Sequence, residues 1–171
     1  MAHGKTRLAA TMVDWPTVSG ALTVSSNQQM VQMLAKTPYS VGYLGGSYAA
    51  DAEKASLVTA MLENQGGKFL LPNVETITAA AAELTPRTPP DERLTLAFAP
   101  GADSYPPINY EYAIVSDQQP NPQVASAISS FLLWCISPQG GSATSFLEPV
   151  HFIPLPISIR ARSEIQIAKI Q

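Results

Sequence analysis

Protein chemistry usually starts from a histidine, a thiolate or clustered carboxylates, and this sequence offers few of them. Its two histidines are His3 and His151. His3 sits in a terminal stretch that reads as frayed. His151 lies within Val150-His151-Phe152-Ile153, beside prolines. No acid or nucleophile accompanies it, so it reads as a structural histidine at a strand edge rather than a general base. The single cysteine, Cys135, stands between Trp134 and Ile136 in a helical run. A reactive thiolate needs an electropositive, partly exposed setting, which nothing here supplies, so Cys135 reads as a core residue. Asp103-Ser104 offers an anion contact or a hydroxyl nucleophile, yet ahead of Tyr105-Pro106-Pro107 it reads more simply as a turn. The expectation is therefore no catalytic residue, no metal ligand set and no cofactor, and the chain reads as a non-enzyme.

Three groups could hold a ligand without doing chemistry. Gly42, Gly45 and Gly46 suggest a phosphate-cradling loop, but the G-x-x-x-x-G-K-[ST] spacing and its lysine are missing, so they read as a strand-terminating turn. Ser142, Thr144 and Ser145 follow Gly140-Gly141 and could donate to an anion at a helix N-terminus; ordinary capping accounts for them equally well. Tyr105, Tyr110 and Tyr112 could stack on a ligand, but residues 110 and 112 share one strand face, where packing is the simpler role.

Composition narrows the partners. Lys plus Arg is 10 and Asp plus Glu 13, a net charge of -3, so no basic footprint exists for a nucleic-acid backbone. One cysteine excludes an internal disulfide framework, and the 46% hydrophobic content excludes a disordered tail. Proline, 15 of 171 residues, is about twice its usual frequency. The longest apolar run, Phe131 to Ile136, is far short of the roughly 20 residues of a membrane span. His3, Lys5 and Arg7 precede only Leu8-Ala9-Ala10, which is no working export signal.

The elements that must position these residues alternate in type. Helices are expected at Gln28–Lys36 after a Ser26 or Asn27 cap, from Asn73 through Leu84, and from Asn121-Pro122 to about Ser137. A short helix is expected at Ser142–Leu147 and a closing one at Ser163–Ile170. Strands are expected at Tyr39–Leu44, Leu94–Phe98 and Tyr110–Val115, and at Leu57–Leu62, where Ala and Met also suit a helix, with extended segments at 68–72 and 150–156 and a proline-rich loop at 85–91. Strands alternating with helices give an α/β class.

The order of the motifs adds a resemblance. Thr37-Pro38-Tyr39-Ser40-Val41-Gly42-Tyr43-Leu44-Gly45, followed by Ser47-Tyr48-Ala49, resembles the T-P-G-S-I-G-Y-x-x-x-S-Y-A stretch of phosphate-binding proteins, the solute-binding components of ABC-type phosphate importers. Val74-Glu75-Thr76-Ile77 with Ala79 to Ala82 resembles their alanine-rich helix. Asp103-Ser104-Tyr105-Pro106 and Tyr110 to Val115 resemble their Y-P-I-x-x-Y-x-Y-x-x-V crossover. Phe131-Leu132-Leu133-Trp134 with Gly140-Gly141, and Val150-His151-Phe152-Ile153-Pro154-Leu155-Pro156, resemble the last two motifs. The match covers about residues 14 to 170 and leans toward the actinobacterial branch, whose members are lipoproteins. Tyr39 replaces a glycine of the pattern and Pro107 an apolar residue, which stiffens the crossover.

The resemblance implies part of a type II periplasmic-binding-protein fold. Residues 1–103 would be part of the second lobe and 104–171 the C-terminal part of the first, joined by a crossover. It also implies that this sequence corresponds to the C-terminal half. The family's phosphate ligands come from the other half, ending in an R-x-D-x-S-G-T-type motif that this sequence does not contain. Arg7, Arg87, Arg93, Arg160 and Arg162 match no ligand position, so no phosphate-binding residue is carried over. The implied partners are inorganic phosphate, the permease subunits and the missing N-terminal half, with a truncated, non-binding interaction protein as the alternative. The implied location is extracytoplasmic and lipid-anchored, or cytoplasmic if Met1 is the true start. Pieces of two lobes leave strands without neighbours, so the chain alone is expected to be marginally stable or to need a partner fragment.

Overall fold

Local signals in the sequence set the helix starts, and the computed structural model, which describes residues 17–171, follows them closely. Helix α1 spans Asn27–Lys36; the Ser26 side chain caps it by accepting from the Gln29 amide. Helix α3, Val74–Leu84, opens with a capping box in which Asn73 accepts from the Thr76 amide and Thr76 accepts from the Asn73 amide. Helix α4, Pro122–Ile136, has Asn121 as its cap and proline at its first position. Each cap satisfies an amide that the first turn leaves without an intrahelical partner. Short α5, Thr144–Leu147, starts two residues later than expected.

Two helices depart from the sequence expectation. Helix α2, Ala49–Lys54, was not anticipated; it grows from a 3-10 turn at Gly46–Tyr48. The closing helix α6 spans Ile157–Ile167, six residues earlier than Ser163, because it begins directly after Pro156. Proline cannot donate within a helix but tolerates a place at its start.

Sheet is scarce. Strands β1, Leu62–Glu63, and β2, Phe69–Leu70, pair antiparallel, with Leu62 opposite Leu70 and Glu63 opposite Phe69. The expected strand at Leu57–Leu62 survives only in its last residue. The expected strands at Tyr39–Leu44, Leu94–Phe98 and Tyr110–Val115 carry no regular ladder. A strand is defined by its neighbour, and among the described residues these segments find none. The architecture is thus mixed and rich in helix.

A small core sits between α3 and the chain that returns across it. Ala80, Leu84, Leu96 and Ala99 are its buried centre, with Ala81, Leu94, Ile108 and Tyr110 packed around them. Helix α6 ties down the proline-rich loop: Arg162 Nη1 donates to the Thr88 carbonyl (3.0 Å), Ser163 Oγ to Glu92 Oε1 (3.0 Å) and Gln166 Nε2 to the Pro90 carbonyl. The last residue, Gln171, exchanges backbone hydrogen bonds with Asp117 and Gln119 at 2.8 Å. Among the described residues no helix is long and apolar enough to cross a membrane.

Candidate functional site

A cavity of about 400 Å³ gathers three of the singled-out residues, Ser142, Thr144 and Arg160. It is lined by Ile136 at the end of α4 and Pro138 after it, Ser142, Ala143 and Thr144 at the start of α5, Pro154 and Leu155, and Arg160 of α6. The glycines before it allow close approach rather than cradling an anion. The Gly141 amide donates to the Trp134 carbonyl (2.8 Å), and a Cβ at Gly141 would lie 2.8 Å from Cys135 Cα. Ser142 Oγ donates to the Cys135 carbonyl (3.0 Å), so this hydroxyl is already engaged. Ala143, the cap of α5, has no side-chain hydrogen bond.

Arg160 brings the cavity its one cation, with Nε 3.8 Å from Glu164 Oε1. A guanidinium shared with Glu164 of its own helix, in a lining where Ser142 is already engaged and Thr144 is the other hydroxyl, is one charged donor where a dehydrated oxyanion is held by several converging ones. A second hollow, about 460 Å³, runs along one face of α4 past Pro122, Gln123, Ser126, Ala127 and Ser130, and it contains no charged group.

Two other arginines are engaged elsewhere. Arg93 grips Asp91 through Nη2 (2.6 Å) and Nε (2.8 Å) and holds that exposed carboxyl below the usual carboxylate range. Arg162 serves the Thr88 carbonyl. Arg87 is exposed at the end of the Thr85–Arg87 turn. Arg7 and His3 lie outside the described residues.

The remaining candidates are structural in their surroundings. Asp103 pairs with Lys68 Nζ at 2.8 Å, both exposed. Ser104 is fully buried, its amide bonded to the Gly101 carbonyl (3.1 Å). The organiser of that turn is Asn64, which the sequence reading missed. Its Nδ2 donates to the Ala102 carbonyl (2.7 Å), and its Oδ1 accepts from the Gly66 (2.9 Å) and Lys68 (3.0 Å) amides. A lone Asn before Gln65-Gly66-Gly67 carries no signal beyond a hairpin turn; only the partner turn 40 residues on gives it a role.

The tyrosines pack. Tyr105 is buried, and its amide donates to the Thr76 carbonyl (3.1 Å). Tyr110 and Tyr112 meet edge to face at 6.4 Å. Tyr110 Oη lies 3.3 Å from Thr85 Oγ1, and Tyr112 Oη reaches the Glu92 (2.8 Å) and Leu94 (2.9 Å) carbonyls. Burial pushes the phenols of Tyr105 and Tyr110 above their ordinary value. His151 is exposed and closes the Glu148–Val150 turn in the left-handed region. Cys135 is half-buried. Gly42 backs onto α1, where a Cβ would lie 2.8 Å from Met30 Sδ, and the Gly45 amide donates to Asn27 Oδ1 (3.2 Å). Among the described residues no three potential metal ligands cluster.

Comparison with known proteins carries more than this geometry does. No protein-family profile matches the chain. The phosphate-binding protein PstS of Methanocaldococcus jannaschii is 30% identical over 158 residues, covering 85% of this chain and 38% of that protein. The PstS proteins of Pasteurella multocida (27% identical, 90% of this chain) and Haemophilus influenzae (24%, 86%) also match. The chain spans about two fifths of the length of these curated relatives.

Proposed function

The chain is a relative of the phosphate-binding proteins over about two fifths of their length, and from that premise we propose that it serves inorganic phosphate binding and delivery to an ABC-type importer. The observation that carries the reading is the 30% identity sustained over 85% of the chain. Within that function the chain is scaffold: residues 1–103 contribute to one lobe, residues 104–171 to the other, and the phosphate ligands come from outside it. The surroundings of its arginines agree. Arg93, Arg160 and Arg162 are committed to Asp91, Glu164 and the Thr88 carbonyl. Its working location is extracytoplasmic and its protein partners are permease subunits, as the resemblance implies.

Two measurements test this. Calorimetric titration of the purified chain with inorganic phosphate gives no binding heat, and saturable phosphate binding would show that the ligand assignment is wrong. Deleting the coding sequence lowers uptake of labelled phosphate under phosphate limitation; unchanged uptake rejects the transport role. The second reading, a non-binding interaction protein, draws on exposed apolar side chains such as Val41, Val58 and Ile114. Capture of the chain by permease subunits with no effect on phosphate uptake would favour it.

A further inference from the structure

The cavity beside the start of α5 holds a cation that the phosphate reading does not use. Arg160 lies in the first turn of α6, the end where the helix dipole disfavours a cation and favours an anion. Its side chain is mostly buried, with 28% exposure. Its tie to Glu164 runs through Nε alone, at 3.8 Å, which is beyond hydrogen-bond reach. Glu164 is itself 52% exposed, and an arginine four residues ahead of a glutamate is the weaker order of such a pair. Neither Nη1 nor Nη2 of Arg160 donates to an acceptor among the described residues. The open end of the guanidinium fork is therefore available in a cavity of about 400 Å³.

Most of the remaining lining is apolar: Ile136, Pro138, Ala143, Pro154 and Leu155. Ile136, Ala143 and Leu155 are half-buried. Backbone hydrogen bonds hold this wall in shape before any ligand arrives. The Ser142 amide donates to the Ser137 carbonyl (3.0 Å), the Ala143 amide to the Gly140 carbonyl (2.9 Å) and the Arg160 amide to the Pro156 carbonyl (3.0 Å). Thr144 adds an exposed hydroxyl that bonds to no described residue. Such a lining discriminates between anions. Phosphate carries oxygens on every side and no hydrocarbon, so it needs several converging donors. A monocarboxylate is satisfied by one guanidinium, which grips both its oxygens, and its hydrocarbon gains by leaving water for an apolar wall. A volume near 400 Å³ falls at the small end of sites for organic ligands.

We propose that this cavity binds a small branched aliphatic carboxylate. Its carboxylate sits on the Arg160 guanidinium and the Thr144 hydroxyl, and its hydrocarbon lies against Ile136, Ala143 and Leu155. Glu164 competes with the ligand for Arg160. The site lies wholly within this chain and does not depend on the phosphate reading.

NMR titration of the 171-residue chain with isovalerate tests this. Saturable shifts are expected at residues 136–144 and 154–160. Isovaleramide keeps the shape without the charge, and should bind about tenfold more weakly. Acetate keeps the charge without the hydrocarbon, and should also bind about tenfold more weakly. Inorganic phosphate should not displace isovalerate. Arg160→Gln should abolish the shifts with circular dichroism unchanged. Glu164→Gln removes the competitor and should tighten binding about threefold, the scale of an exposed ion pair. A gain of affinity cannot come from lost structure, so this second variant separates the site from the fold. Four results overturn the proposal: no saturable shifts, isovaleramide bound as well as isovalerate, displacement by phosphate, or binding unchanged or weakened in Glu164→Gln.

Discussion

Asn64 shows how one buried amide can hold two remote turns. It satisfies two hairpin amides with its oxygen and the Ala102 carbonyl with its nitrogen, and its relative exposure is 6%. Asn64→Ala leaves those groups without partners, at an expected loss of about 2 kcal/mol. Hydrogen exchange at Gly66 and Lys68 would read it, and unchanged protection there would contradict the assigned role. The glycines permit a graded comparison. A Cβ at Gly141 meets the backbone of Cys135, which cannot step aside, so Gly141→Ala should cost about 1–3 kcal/mol in urea midpoint analysis. At Gly42 the obstacle is Met30 Sδ, the far end of a flexible side chain, and Gly42→Ala should cost clearly less. Equal losses would refute this account. Residue type gave the packing roles of Tyr105 and Tyr110 and the turn at Asp103-Ser104. It could not give Asn64, because its partners lie at 101–104, far away in sequence.

At the scale of elements, caps decided most. Asn73 and Asn121 were legible as helix starts because a short polar side chain before a helical run satisfies free amides within three residues. Asn121→Ala should cost about 1 kcal/mol and speed exchange of the Val124 amide, now bonded to Asn121 Oδ1 at 2.9 Å. Exchange unaltered at Val124 would dismiss the cap. The start of α6 was misplaced because the isoleucine spacing draws the eye to Ser163, while Pro156 sets the boundary. The strands were the least secure. Alternating β-branched and aromatic residues describe a pleated surface that fits a neighbour, and without one the same residues lie outside any ladder.

For the whole molecule, the core is small and carries its own pH dependence. Tyr105 and Tyr110 are both raised, chiefly by burial. The folded state therefore holds these protons more tightly than the unfolded chain. Their contribution is fully present below the ordinary tyrosine value near 10 and is lost as pH climbs through the raised folded values. Followed by tyrosinate absorbance, these two should ionise above the ordinary tyrosine value, and the chain should lose structure as they do. Ionisation of both at the ordinary tyrosine value would remove them from the core. The links from α6 to the 88–92 loop, and from the core of Ala80, Leu84, Leu96 and Ala99 to Ile108 and Tyr110, run across residue 103. Residues before and after 103 are thus joined by packing as well as by sequence.

By itself the sequence determined the kinship, through motifs in a fixed order, and the main helix starts, through caps that act over three or four residues. It also pointed to the scarcity of catalytic groups, because type and spacing are local properties. Only the tertiary structure decided which polar groups meet across 40 or 70 residues, as with Asn64, Arg162 and Ser163. It alone decided which strand-like segments carry no ladder among the described residues, since pairing and burial depend on what lies alongside a segment and not on the segment itself.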